Sequence, residues 1–80
     1  MALRFLCIDP TTANDNCPAL FVDDETGDLI VQGWTDTDPL TLAEAAKVSS
    51  LAENETIVRL PARMRDVILE ALRADGATVR

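Results

Sequence analysis

Two apolar runs separated by a short turn sequence dominate the first half of this 80-residue chain. The runs read "ALFVDD" and "LIVQGW", and the turn between them reads "ETGD", in which Gly27 can adopt a positive φ at no steric cost. The pattern predicts a β-hairpin whose second strand continues to Trp34. In that strand Leu29 and Val31 alternate with Ile30, so both faces carry apolar side chains. We therefore expect both faces to be covered, one by a helix and one by another subunit.

Local signals also predict a strand before the hairpin and a helix after it. The run "LRFLCI", Leu3–Ile8, has the composition of a strand, and Pro10 closes it because proline cannot donate to a continuing ladder. Asp38 followed by Pro39 predicts a helix start, since aspartate accepts early backbone N–H groups and proline loses no hydrogen bond there. This helix is expected to continue to about Val48.

The second half of the chain predicts one more strand and one more helix. The strand is expected over residues 56–60, and the helix from Pro61 to about Ala74. The element order is therefore βββαβα. It predicts a single α+β domain over residues 1–80, with a small, mainly antiparallel sheet and two helices on one of its faces. Residues 75–80 are expected to form a frayed tail.

The charge of the chain limits the partners that it can bind. Fourteen acidic residues against seven basic ones give a net charge of −7, which opposes binding to nucleic acid and to anionic membranes. The excess lies in the first half, which has eight acids and one base up to Asp38. The chain shows no signal-peptide pattern and no apolar stretch of about 20 residues, so a cytoplasmic protein is predicted.

The side chains available for chemistry are few. Histidine is absent, so the commonest acid–base catalyst at neutral pH is missing, and we expect no enzymatic activity, no catalytic residue and no cofactor. Cys7 and Cys17 are read either as two small buried hydrophobic residues or as a redox switch. The acids from Asp23 to Asp28 are read as solvated turn carboxylates, with loose binding of a divalent cation as the alternative, and no metal site is predicted.

The candidates for contact with a partner protein are one aromatic residue, two acidic residues, one leucine and two arginines. Trp34 is either the largest side chain of an aliphatic core or an interface residue at a sheet edge. Leu69 lies off the centre of the apolar stripe of the second helix. Arginines at the entry to that helix complement the acidic first half and suggest self-association. The candidate contact residues are Trp34, Asp36, Asp38, Leu69, Arg63 and Arg65.

Four segments resemble one family of proteins. "LRFLCIDP", "NCPALFVDDETGDLIVQGW", "TDTDPLTLAE" and "ETIVRLPARM" are similar to the small acidic BldB-like proteins of actinomycetes, also called AbaA-like. The resemblance covers Leu3 to about Met64, and "VQGW" and "TDP" are its most specific parts. The family pattern usually has glycine in place of Cys7 and a small or polar residue in place of Cys17, so a shared role of the thiols is not implied.

This resemblance implies a regulatory rather than a catalytic function. Such proteins are often encoded beside a helix-turn-helix regulator, act in differentiation or antibiotic production, and self-associate. The sequence thus leads to the hypothesis of a homodimeric module that modulates a helix-turn-helix regulator by protein contact and does not touch DNA. The alternative is a sensor that binds a small ligand or a metal between its sheet and helices, with the hairpin acids as ligands.

Overall fold

The computed structural model describes residues 2–11 and 17–79 as an α+β domain, which confirms the predicted fold class. The strands are β1 (Leu3–Ile8), β2 (Ala19–Asp23), β3 (Leu29–Gln32), β4 (Trp34–Thr35) and β5 (Val58–Arg59), and the helices are α1 (Pro39–Ala46) and α2 (Met64–Val79). In chain order they read ββββαβα, with one strand more than predicted. The strands form two antiparallel sheets rather than the single sheet expected.

The larger sheet has the strand order β1-β2-β3, and it contains the predicted hairpin. Gly27 occupies the turn with φ 83°, the conformation for which glycine was predicted there. The β1–β2 register shifts between Phe5 and Cys7, which is the mark of a β-bulge. Because directly paired residues share a face, Phe5, Phe21 and Ile30 form one cross-strand row.

The predicted third strand is interrupted at Gly33. A side chain at this position would place its Cβ 2.8 Å from Leu60 Cδ2 and 3.0 Å from the carbonyl oxygen of Arg59. The backbone therefore passes directly against the segment that contains β5. After Gly33 the chain leaves the larger sheet, and β4 pairs with β5 in a separate two-stranded sheet. The prediction of one strand from Leu29 to Trp34 was wrong at this point.

Helix α1 begins where the sequence predicted. The side chain of Asp38 accepts a hydrogen bond from the N–H of Leu40, and Pro39 occupies the first turn. The helix ends at Ala46, two residues before the predicted end. It is followed by turns, in which the N–H of Val48 donates to the carbonyl of Ala45 at 3.1 Å.

The last strand and helix differ from the prediction at their ends. Strand β5 has two residues rather than five. Helix α2 begins at Met64, because residues 61–63 form a turn in which the Met64 N–H donates to the carbonyl of Pro61 at 3.0 Å. The helix continues to Val79, past the predicted end near Ala74, so most of the expected tail is helical. Arg80 lies outside the described residues.

The core lies between α2 and the larger sheet. Met64 is fully buried against Cys7 and Leu20, and α2 packs mainly over β1. Partly buried aliphatic side chains surround this centre, namely Leu6, Leu60, Val67, Ile68, Ala71 and Leu72. In the described part of the chain, neither helix offers a segment suited to crossing a lipid bilayer.

Candidate interaction surfaces

Much of the apolar surface of this chain lies outside the core. The buried hydrophobic residues in the described part are Cys7, Cys17, Ala19, Leu20, Val22 and Met64. Twelve large hydrophobic side chains in the same part of the chain are exposed, which is twice that number. Single exposed hydrophobic residues are normal, whereas contiguous apolar patches mark interaction sites. The position of these side chains in the fold therefore decides whether they form an interaction surface.

One group of exposed hydrophobic residues covers the sheet face that points away from α2. Leu20 packs against Met64 of α2, so its neighbour Phe21 points to the opposite face, together with its cross-strand partners Phe5 and Ile30. The rings of Phe5 and Phe21 meet edge to face with centroids 6.2 Å apart. Phe5 nevertheless remains 57% exposed. This surface, the open sheet face, comprises Leu3, Phe5, Ile8, Phe21 and Ile30.

Strand β3 is exposed on both of its faces. Ile30 belongs to the open sheet face, whereas Leu29 and Val31 point to the side on which α2 lies. The helix packs mainly over β1, and Leu29 remains 51% and Val31 44% exposed. The prediction that a helix covers this face was wrong for β3. The strand carries apolar side chains on two uncovered faces.

Three of the predicted contact residues lie close together around Arg59. Trp34 pairs with Arg59 across the two-stranded sheet, and its side chain is 47% exposed, so it lies at the surface and not in the core. The Nε of Arg59 donates to Asp36 Oδ2 at 2.8 Å, and its Nη2 donates to Thr41 Oγ1 at 3.2 Å. The same threonine hydroxyl donates to Asp38 Oδ2 at 3.1 Å. Trp34 thus projects from a hydrogen-bonded cluster that joins β4, β5 and α1.

The electrostatics of this cluster stabilise the charged form of Asp36. Its pKa is lowered, chiefly because the carboxylate accepts a hydrogen bond from the Asp38 N–H at 3.0 Å, and further because it binds Arg59. The Asp36 side chain is only 6% exposed. Both acids therefore have structural roles, Asp36 as the partner of Arg59 and Asp38 as the helix cap. Their assignment as contact residues stays a prediction.

The remaining predicted contact residues lie at the start of α2 and along it. The Nε and Nη2 of Arg63 donate to the two carboxylate oxygens of Asp9 at 2.7 and 2.6 Å. The carboxylate of Asp9 is fully buried, and its hydrogen bond raises the pKa of Arg63. Arg65 and Leu69 are exposed, Leu69 by 55%. Arg63 is thus held within the chain, whereas Arg65 and Leu69 remain accessible.

Sequence reasoning found the open sheet face only in part. The contribution of Phe5 and Phe21 was not predicted. The signal that was used is the composition of β3, whose apolar run "LIV" has no polar alternation and led to the expectation that another subunit covers one face. Such a run is typical of a strand covered on both faces, which a domain with two short helices cannot provide.

The described residues contain no cluster of three or more side chains suited to holding a metal ion. At the hairpin, Asp23 Oδ1 accepts from the N–H of Glu25 at 2.9 Å, and Asp24 binds Arg4 at 2.9 Å. Cys7 and Cys17 are both buried, and burial raises the pKa of Cys7. Buried protonated thiols are weak nucleophiles, so the geometry offers no reactive centre at Cys7.

Comparison of the chain with protein-family models, with curated proteins and with solved structures gives no match in any of the three. The α+β fold and the surfaces described above are therefore the basis of the functional argument.

Proposed function

We propose that this chain is a non-enzymatic interaction module of the cytoplasm, which forms a homodimer and modulates a helix-turn-helix transcriptional regulator in differentiation or secondary metabolism. The observation that carries the proposal is the excess of exposed over buried large hydrophobic side chains. A small domain supplies little stability from its own core, and an apolar surface of this kind is typical of protein–protein contact. The resemblance to BldB-like proteins supports the regulatory setting.

The charge of the chain favours a protein partner with a basic surface. At −7 the module is repelled by DNA phosphates but attracted to the basic surface with which a DNA-binding domain meets them. An acidic module can therefore compete with DNA for the regulator. This form of regulation needs no active site and no cofactor.

Trp34 is the first candidate for the contact with the regulator. Tryptophan is enriched among the residues that contribute most to binding energy, because its large ring loses little conformational entropy on burial. The side chain is 47% exposed, and the Arg59 hydrogen bonds to Asp36 and Thr41 hold the two-stranded sheet from which it projects. A rigid support of this kind lowers the ordering cost of binding.

The test is capture of the regulator by tagged protein from lysate of the host at moderate salt, identified by mass spectrometry. We expect a helix-turn-helix protein to be enriched by the unmodified chain and lost with Trp34→Ala. Val48→Ala is the matched control, because Val48 is 92% exposed and lies after α1, outside the strands of the two-stranded sheet. Failure to recover such a regulator, or equal capture by Trp34→Ala, would contradict the proposal.

A ligand sensor is the second candidate, and one groove favours it. Ala45, Val48, Leu51 and Ile57 contribute to the lining of an open groove of about 660 Å³ beside the end of α1, which is within the usual size of small-molecule sites. A thermal-shift screen against metabolites and metals tests it. A specific ligand at 100 times its Kd raises the free energy of unfolding by about 2.7 kcal/mol. A screen without any shift would reject this candidate.

A further inference from the structure

The outer edge of β3 presents backbone groups for pairing with another strand. The Asp23 N–H donates to the Asp28 carbonyl at 2.9 Å, which identifies these two residues as a hydrogen-bonded pair of the hairpin. Hydrogen-bonded and non-hydrogen-bonded pairs alternate along an antiparallel ladder. Leu29 and Val31 therefore direct their N–H and C=O groups outward, away from β2. In the part of the chain that the structure describes, β3 is an edge strand of the three-stranded sheet.

The two edges of this sheet differ in their protection. Proteins usually block an edge strand with a charged residue, a proline or a β-bulge. Strand β1 has a bulge after Phe5, and Arg4 on the same strand binds Asp24 and Asp75 at 2.9 and 2.7 Å. Strand β3 reads "LIVQ" and has no charge, no proline and no register shift. The edge at β3 is therefore the one available for strand addition.

We propose that a second copy of this chain pairs its β3 antiparallel with this β3, so that two three-stranded sheets become one continuous six-stranded sheet. The inference rests on the homodimer in the proposed function and names its interface. Two identical strands related by a twofold axis pair antiparallel and satisfy each other's exposed groups. The uncharged strand also lets two chains of net charge −7 meet without burying a carboxylate.

The pairing has a defined register. Residues whose backbone N–H and C=O groups point away from β2 must oppose each other in the two copies. This places Leu29 opposite Val31 of the partner subunit and Ile30 opposite Ile30 of the partner subunit. A shift of two residues in one direction would recruit Gly33, where the chain leaves the sheet towards β5. A shift in the other direction would recruit Gly27, which lies in the turn with φ 83°. Only the central register uses residues of β3 alone.

A cysteine at position 30 tests this register. The two Ile30 residues would form a non-hydrogen-bonded pair, with Cα atoms about 4.5 Å apart, and a disulfide needs about 4.4 to 6.8 Å. Ile30→Cys is therefore expected to form a disulfide-linked dimer under mild oxidation, read on a non-reducing gel. Phe5→Cys is the matched control, because Phe5 shares the open sheet face and is more exposed than Ile30, at 57% against 37%. The unmodified chain, whose two cysteines are buried, gives the background.

The outcomes separate this inference from the proposed function. Efficient cross-linking of Ile30→Cys but not of Phe5→Cys supports β3 pairing. If Phe5→Cys cross-links equally well or better, or if neither variant does while light scattering gives twice the 8.7 kDa of the chain, the protein dimerises elsewhere and β3 pairing is wrong. A mass of 8.7 kDa without cross-linking overturns both the pairing and the proposed homodimer.

Amide hydrogen exchange of the unmodified dimer gives a second test that needs no variant. In a single chain the outward N–H groups of Leu29 and Val31 exchange with solvent, whereas that of Ile30 is bonded to β2. Pairing of two β3 strands protects all three, and we expect the protection of Leu29 and Val31 to fall on dilution to the monomer. Fast exchange of both amides in the dimer would overturn the inference.

Discussion

Asp9 and Arg63 are 54 residues apart in the sequence and form a bidentate ion pair with a fully buried carboxylate. The pair joins the end of β1 to the entry of α2. Asp9→Asn keeps the size of the side chain but loses the charge that strengthens both hydrogen bonds, so we expect the Tm to fall by at least about 5 °C. Thermal unfolding followed by circular dichroism measures this. Asp28→Asn, at an exposed turn carboxylate, is expected to change the Tm little, and an equal Tm for both variants would contradict a structural role of the pair.

Asp36 makes the stability depend on pH in a predictable direction. Its folded-state pKa lies below the ordinary value of 3.8, so the folded state binds this proton less readily than the unfolded state. The resulting stabilisation is complete above the ordinary pKa and is lost as the pH falls through the folded-state pKa. The free energy of unfolding should therefore fall less for Asp36→Asn than for the unmodified chain when the pH is lowered from 7 to below the ordinary pKa of 3.8. Urea midpoints at the two pH values measure the difference, and parallel losses in both proteins would reject this role.

Gly33 and Gly76 differ in the space around them, because a Cβ would be crowded at Gly33 and would meet no atom within 4 Å at Gly76. Gly33→Ala is expected to destabilise the domain, because the new Cβ would lie 3.0 Å from the backbone oxygen of Arg59 at the junction of the two sheets. Gly76→Ala has no atom within 4 Å of its Cβ and lies inside α2, so we expect it to stabilise by up to about 1 kcal/mol. Urea unfolding of both variants measures the difference. Stabilisation by Gly33→Ala would contradict the close approach of the backbone at Gly33 to Arg59.

The elements predicted well are those whose signals are local. The strand "LRFLCI", the turn at Gly27 and the helix start at Asp38 depend on neighbouring residues, and all three were confirmed. The break at Gly33 was missed because it depends on a contact with the distant Leu60. The predicted end of the second helix near Ala74 was too early, because Gly76 lies within α2 and a glycine is tolerated in a helix at a modest cost.

The same distinction explains the candidate site. The charges of Asp36 and Arg63 suggested partner contacts, because their own partners, Arg59 and Asp9, lie 23 and 54 residues away. No pattern in the sequence links such pairs. The contribution of Phe5 and Phe21 to the open sheet face was missed for a related reason, since these residues and Ile30 become neighbours only when the three strands pair.

At the scale of the whole molecule, the proposed dimer predicts that the Tm depends on concentration. Binding of a second folded chain stabilises the folded state by mass action, so the Tm should rise with protein concentration. Val31→Pro removes an outward N–H, which a single chain can lose because proline is tolerated at an edge position. Its Tm is expected to be independent of concentration, whereas Val48→Ala retains the dependence. A constant Tm of the unmodified chain would contradict the dimer.

The burial of Cys7 and Cys17 makes their reactivity a measure of how often the fold opens. An alkylating reagent reaches a buried thiol only during an opening of the fold, so the rate of labelling counts such openings. In a crude extract, the rate at which the unmodified chain is alkylated thus reports how strongly a bound partner suppresses opening of the fold.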